Sequence, residues 1–150
     1  MKNNIQIVLV LLSLTHFGVA YAELNEKQVI VTKKAPNAVG PYSQAVKIGD
    51  ALYLSGQIAI DPTTAKMIHG TIKQQTKQVL ENIKAVLNAA GYKLSNVVQS
   101  QVYLTNLNNY KSMNTVYAEY FIDKPPARAV VEASGLPLNA LIEIMVVAVK

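Results

Sequence analysis

Leu141-Ile-Glu-Ile-Met-Val-Val-Ala-Val149 is the stretch on which the fold turns. Its length and its content of β-branched residues predict a strand. Successive side chains of a strand point to opposite faces, so Leu141, Glu143, Met145 and Val147 share one face and Ile142, Ile144, Val146 and Ala148 the other. Both faces are apolar except at Glu143. A strand apolar on both sides needs cover on both sides.

Working outward, Ser134-Gly-Leu-Pro-Leu-Asn139 is turn chemistry, and Ala127–Ala133 before it reads as another strand. Lys124-Pro125-Pro126 stops whatever precedes it, because proline lacks the N–H that a helix needs. That element is a predicted helix over Asn108–Phe121, carrying Tyr110, Met113, Tyr117, Tyr120 and Phe121 on one side, a face that reads as core rather than as a cofactor box. Val97–Leu104 alternates as a strand.

The clearest helix lies further upstream. Thr71 and Gln74 have capping-box spacing, the apolar residues Ile72, Val79, Leu80, Ile83, Val86, Leu87 and Ala90 recur at helical spacing, and Gly91 stands where a helix ends. Lys73, Lys77, Glu81 and Lys84 take the opposite face. Asp61-Pro62-Thr63-Thr64 is a turn. Tyr42–Ile48 and Ala51–Leu54 read as two strands joined at Gly49-Asp50, Gln28–Lys33 as a strand, and Ala35–Pro41 as a loop. The order β, ββ, α, β, α, ββ predicts an α+β domain of two layers, a mixed sheet of six strands with two helices on one face. Two helices cover one face only, so the doubly apolar last strand predicts that the other face meets a second subunit.

At the amino end, Lys2, the apolar run Ile5–Val19 and Ala20-Tyr21-Ala22 have the layout of a secretory signal peptide cleaved after Ala22. The expectation is a mature domain of 23–150, periplasmic or secreted, with no stable membrane insertion after cleavage. No cysteine is present, which removes disulfides, thiolate metal sites and cysteine nucleophiles. Thirteen of the 14 basic residues are lysines scattered along the chain with no basic block, and the formal net charge of +5 reads as a solvated surface rather than as a nucleic-acid footprint.

Few residues are left to carry chemistry. Glu143 is a carboxylate on an apolar strand: it is either at a rim in water, or buried at a cost that raises its pKa. Arg128 is the chain's single arginine, fixed just after Pro125-Pro126-Ala127. It is either a planar fork for a carboxylate or a brace for neighbouring chain. His69 has no second histidine or clustered carboxylate near it in sequence, so neither a metal site nor a histidine-based triad is expected. Ser55-Gly56-Gln57 could present backbone N–H groups to an anion, and Tyr42 stands beside Gly40-Pro41. Neither a phosphate-binding loop nor a dinucleotide fingerprint is present.

Several segments taken together resemble the Rid (YjgF-like) family in order and spacing: Gly40-Pro-Tyr-Ser-Gln-Ala45, Leu54-Ser-Gly-Gln-Ile58, Ala89-Ala-Gly91, Val102-Tyr-Leu-Thr105, Met113-Asn-Thr-Val-Tyr117, Pro126-Ala-Arg-Ala-Val130, Gly135-Leu-Pro137 and Leu141-Ile-Glu-Ile144. The resemblance spans roughly residues 28–150. It implies a chorismate-mutase-like fold, a homotrimer with ligand clefts between subunits, no cofactor or metal, and a hydrolase acting on C–N bonds, a 2-iminobutanoate/2-iminopropanoate deaminase. Carried over by motif, Arg128 would clamp the carboxylate of a 2-imino acid and Glu143 would position or activate water. Tyr42 would line the pocket, Gly56 would offer backbone contacts and Asn114 would support. Val130, also expected among the substrate-binding residues, and Met145 stand where the archetype often has Cys and a second Glu. Against the deaminase stand two other readings: a non-catalytic trimer binding small carboxylates at the same cleft, and a holdase that protects unfolding proteins.

Overall fold

A computed structural model describes residues 26–150. The expected leader, 1–22, lies outside the described residues. The main sheet takes strands β1 (Gln28–Ile30), β2 (Ala45–Ile48), β3 (Ala51–Leu54), β6 (Val97–Leu104), β7 (Ala127–Glu132) and β8 (Ile142–Val149) in the order β1-β2-β3-β8-β6-β7. All neighbours are antiparallel except β6 and β7, which run parallel because the helix α2 (Tyr110–Tyr120) crosses between them. The longer helix α1 (Ile72–Ala89) packs on β8 and on α2. The six-stranded mixed sheet with two helices is the architecture the patterning predicts.

α1 forms where its sequence signals place it. Thr71 caps it through both arms of a capping box: Gln74 N–H donates to Thr71 Oγ1 at 3.4 Å, and Thr71 N–H donates to Gln74 Oε1 at 2.8 Å. Gly91, at φ 79°, ends it in the left-handed conformation that glycine adopts at least cost. Its stripe of Val79, Leu80, Ile83, Val86 and Leu87 is fully buried against Leu52, Leu54, Val102, Leu104, Ile142, Ile144 and Val146 of the sheet. Each such aliphatic side chain contributes roughly 1.5–3 kcal/mol on burial.

The two faces of β8 part company. Ile142, Ile144, Val146 and Ala148 are buried under the helices, whereas Glu143, Met145 and Val147 are only partly covered. On that outer face Tyr53, Val131 and Val149 are 50%, 46% and 39% exposed. The apolar outer face is therefore bare in a single chain.

Three boundaries differ from expectation, for physical reasons. β1 ends at Ile30 and β2 begins only at Ala45, because the buried side chain of Gln44 takes over the hydrogen bonds a longer ladder would make. Its Nε2 donates to the carbonyls of Thr32, Ala35 and Pro36 at 3.0, 3.3 and 2.7 Å, and its Oε1 accepts from Thr32 N–H at 2.7 Å. Tyr42 thus stands on a loop, not in a strand. A small ribbon of β4 (Ile60–Asp61) and β5 (Lys66–Met67) closes over the Asp61 turn. Buried Asn82 of α1 ties it down, its Nδ2 donating to the carbonyls of Ile58 and Ile60 at 3.2 and 2.9 Å. The second helix starts at Tyr110, after a short 3-10 turn at Leu107–Asn109.

Candidate functional site

The loop after β3 crosses the end of β8: Gln57 N–H donates to the Ile144 carbonyl at 2.9 Å, and Ile144 N–H donates back to the Gln57 carbonyl at 3.1 Å. That pairing sets Gly56 directly beneath Glu143. A Cβ on Gly56 would overlap Glu143 Oε1 and stand 2.7 Å from its Cδ. Only glycine leaves room for the carboxylate in this position. Ser55, whose Oγ donates to the Ser43 carbonyl at 2.6 Å, fixes the loop from the other side.

Glu143, Gly56 and Tyr42 line one cleft of about 480 Å³, together with Val39, Ile58, Leu138 and their neighbours. Among the described residues, Glu143 is the only charged side chain on its wall. It is half-buried, forms no ion pair among the described residues, and its pKa is raised by burial. Of the alternatives left open by the sequence, this is the partly buried, unpaired carboxylate rather than the solvated rim residue.

Arg128 is not in that cleft. In the sheet register it lies opposite Ser100, whereas Glu143 lies opposite Tyr103. An odd separation along β6 places the two on opposite faces. Arg128 points to the helix side, where Nη2 donates to Asn114 Oδ1 at 2.8 Å and to Tyr110 Oη at 3.3 Å. Its guanidinium carbon lies 4.4 Å from the ring centre of Tyr117 and 5.8 Å from that of Tyr110. Positions 110, 114 and 117 follow one face of α2, so a single helix stripe grips the arginine. Tyr117 is buried, stacked on Phe121 at 4.6 Å. Burial raises its pKa, and the proximity of Ser100 and Arg128 pulls the other way. Neither its hydroxyl nor Ser100 Oγ has a hydrogen-bond partner of good geometry. Val130, two residues along the same face of β7, packs partly buried against the core.

The structure therefore gathers the motif-derived residues into two half-sites, Tyr42–Gly56–Glu143 and Arg128–Asn114. The sequence reading did not single out Gln44, Tyr110 or Tyr117 as part of either. The spacing of Tyr110, Asn114 and Tyr117 was the available signal, and it reads equally well as a core stripe. His69 is exposed and outside the cleft. Among the described residues, no three His, Cys, Asp or Glu side chains gather where a metal ion could be held.

Comparison with known proteins places this geometry. The family model described as Endoribonuclease L-PSP matches residues 32–150. A "RutC family protein" of Sulfurisphaera tokodaii is 55% identical over 123 residues, covering 82% of this chain and 98% of its own. The human 2-iminobutanoate/2-iminopropanoate deaminase is 41% identical, over 83% of this chain and 90% of its own. The crystal structure of Escherichia coli TdcF with bound serine superposes with a TM-score of 0.79 at 34% identity, over 82% of this chain and 98% of that one. These matches correct one expectation. The Sulfurisphaera protein is accounted for over 98% of its own length by the matched region, which leaves no room in it for a counterpart of a 22-residue leader. The signal-peptide and periplasmic reading is not retained. On the family match and the two half-sites together, the chain belongs to the Endoribonuclease L-PSP family, the Rid (YjgF-like) family.

Proposed function

We propose that this protein is a 2-iminoalkanoate deaminase, hydrolysing 2-imino acids to 2-keto acids and ammonia at sites completed between copies of the chain in a homotrimer. The observation that carries the reading is the separation of Glu143 from Arg128 on opposite faces of one sheet. Among the described residues the cleft that holds Glu143 has no cation of its own, and an Arg128 from an adjacent copy would supply the match that a substrate carboxylate seated there needs. The bare apolar face around Tyr53, Val131 and Val149 supplies a surface for association. The name of the human relative and the serine held by TdcF support a small amino-acid-like ligand.

The chemistry asks little of the protein, because C2 of an imino acid is already electrophilic. Arg128, with Nη2 engaged by Asn114 and Tyr110, keeps its remaining N–H donors for the carboxylate. The Gly56 N–H, with no acceptor among the described residues, adds a backbone donor. Glu143 takes a proton from water as the oxygen bonds to C2 and the C=N π pair moves to nitrogen, then passes that proton to the nitrogen, giving a neutral carbinolamine. It next takes the proton of the new hydroxyl as the carbonyl forms and delivers it to the nitrogen as the C–N bond breaks, releasing ammonia and regenerating the carboxylate. A carboxyl whose pKa is raised by burial suits both transfers. No cofactor enters this sequence of steps.

Phosphodiester cleavage fits the geometry poorly, because among the described residues the only charge this chain brings to the cleft is negative and His69 lies outside it. A non-catalytic carboxylate binder shares the same half-sites and is separated by turnover. Imino acids generated in situ by an amino-acid oxidase and trapped with semicarbazide give the assay. Wild type removes them faster than buffer and Arg128→Ala does not. Equal imine loss with wild type and buffer across several side chains would sink the deaminase reading.

A further inference from the structure

Leu138 is an apolar residue that the fold has no evident use for. It is 58% exposed and absent from the core, yet it holds a left-handed conformation at φ 55° and ψ 26°, followed by Asn139 at φ 56°. An L-residue with a branched side chain adopts that region only at a cost. The surrounding loop imposes it: Pro137 precedes, Ala140 N–H donates back to the Pro137 carbonyl at 3.1 Å, and Ala140 is fully buried. Leu141 N–H is then fastened at 2.8 Å to Oε1 of Gln75, itself buried in α1. So anchored, the loop sets Leu138 on the wall of the Glu143 cleft, alongside Val39, Tyr42, Ile58 and Ile60. Strain of this kind, held by a fixed surround and aimed at a cleft, points to a role in binding. The cleft also exceeds what the shared core of a 2-imino acid fills, leaving space for a side chain against an apolar wall.

We propose that Leu138 is a specificity-determining residue, forming with Val39 and Tyr42 an apolar wall that selects 2-imino acids with uncharged aliphatic side chains larger than methyl. The proposal rests on the deaminase reading for the reaction but not for the wall. Acidic side chains are disfavoured by the same arrangement, since among the described residues Glu143 is the only charge this chain places on the wall and the adjacent copy's Arg128 is taken by the substrate's own carboxylate.

The test compares wild type with Leu138→Gly and Leu138→Asn, two residues at ease with positive φ. The readouts are kcat/KM for the leucine-derived over the alanine-derived imine, and the Tm. The ratio should exceed one in wild type and fall roughly tenfold in both variants, which is what contact of a methylene or two with such a wall supplies. The Tm should hold or rise. An unchanged ratio, or a lowered Tm with both substrates losing rate equally, overturns the proposal. Calorimetric binding of pyruvate and 4-methyl-2-oxopentanoate keeps the two ideas apart. If no imine is hydrolysed, the deaminase reading falls, and the wall is judged on the ratio of keto-acid affinities. A ratio unaffected by either variant, or no binding of either keto acid, overturns the wall as well.

Discussion

Mixing Arg128→Ala chains with Glu143→Gln chains should restore activity that neither variant has alone. Each substitution removes one half-site and leaves the other intact, because the sheet separates them. Charge-assisted hydrogen bonds contribute roughly 1.5–3 kcal/mol each, so losing a two-pronged clamp lowers kcat/KM by about two to four orders of magnitude. Loss of a general base costs about 10²–10⁴-fold. Both parents should therefore sit near background. In a closed ring each site takes Glu143 from one copy and Arg128 from the next. Random equimolar assembly then makes about half times half, or about one quarter, of the sites fully wild type. The two variants would be denatured together, refolded and assayed by imine trapping, with mixed oligomers verified by native mass spectrometry. The expected result is about a quarter of the wild-type kcat at an unchanged KM. Mixed oligomers no more active than the sum of the parents would refute the shared site, since two residues acting from one chain can never complement.

Three further outcomes follow from the same geometry. Gly56→Ala should cut kcat by one to two orders of magnitude while leaving the circular dichroism spectrum intact, because the added Cβ overlaps the Glu143 carboxylate and must displace it. Glu143→Gln should raise the Tm at neutral pH. Burial lifts the folded pKa above the ordinary 4.5, so ionisation disfavours the folded state, with no penalty below about 4.5, growth above it and the full value once pH passes the raised folded pKa. The gap between variant and wild type should close as pH falls, and wild-type activity should fall as acid protonates the base. Tyr117→Leu should raise KM severalfold with little change in kcat, since a cation–π contact supplies about 1 kcal/mol, while Tyr117→Phe, which keeps the ring under Arg128, should resemble wild type.

The elements legible in the sequence were those whose signals are local and repeated. α1 carries a capping box, a 3.6-residue apolar stripe and a terminal glycine within one window, and its ends fall where these place them. β8 was legible from a run of nine residues. The ribbon of β4 and β5 was not, because two residues a side carry no periodicity. The overlong β1 and β2 failed for a different reason: Gln44 competes with the backbone for its partners, and only the fold shows that its amide reaches Thr32, Ala35 and Pro36. Gln75 and Asn82 occupy polar positions of a buried stripe for the same kind of reason, their amides holding Leu141 and the Ile58–Ile60 segment that wall the cleft.

The candidate residues stood out in the sequence, but their relation did not, and the cause is parity. Alternation fixes the faces within one strand, whereas the faces of two strands are related only through register with a third. Arg128 and Glu143 meet β6 at Ser100 and Tyr103, three positions apart, and that odd number puts the sheet between them. Each then finds a different environment. Arg128 is pinned among aromatic rings on the helix side, with donors to spare. Glu143 is left half-buried and unpaired on the side that no helix covers. The proposed clamp and base, divided in this way, cannot close on one ligand within a chain. In the homotrimer we propose, the apolar face that would drive copies together is the face that carries Glu143, so the association that buries Tyr53, Val131 and Val149 would be the same event that brings a neighbour's arginine to the cleft.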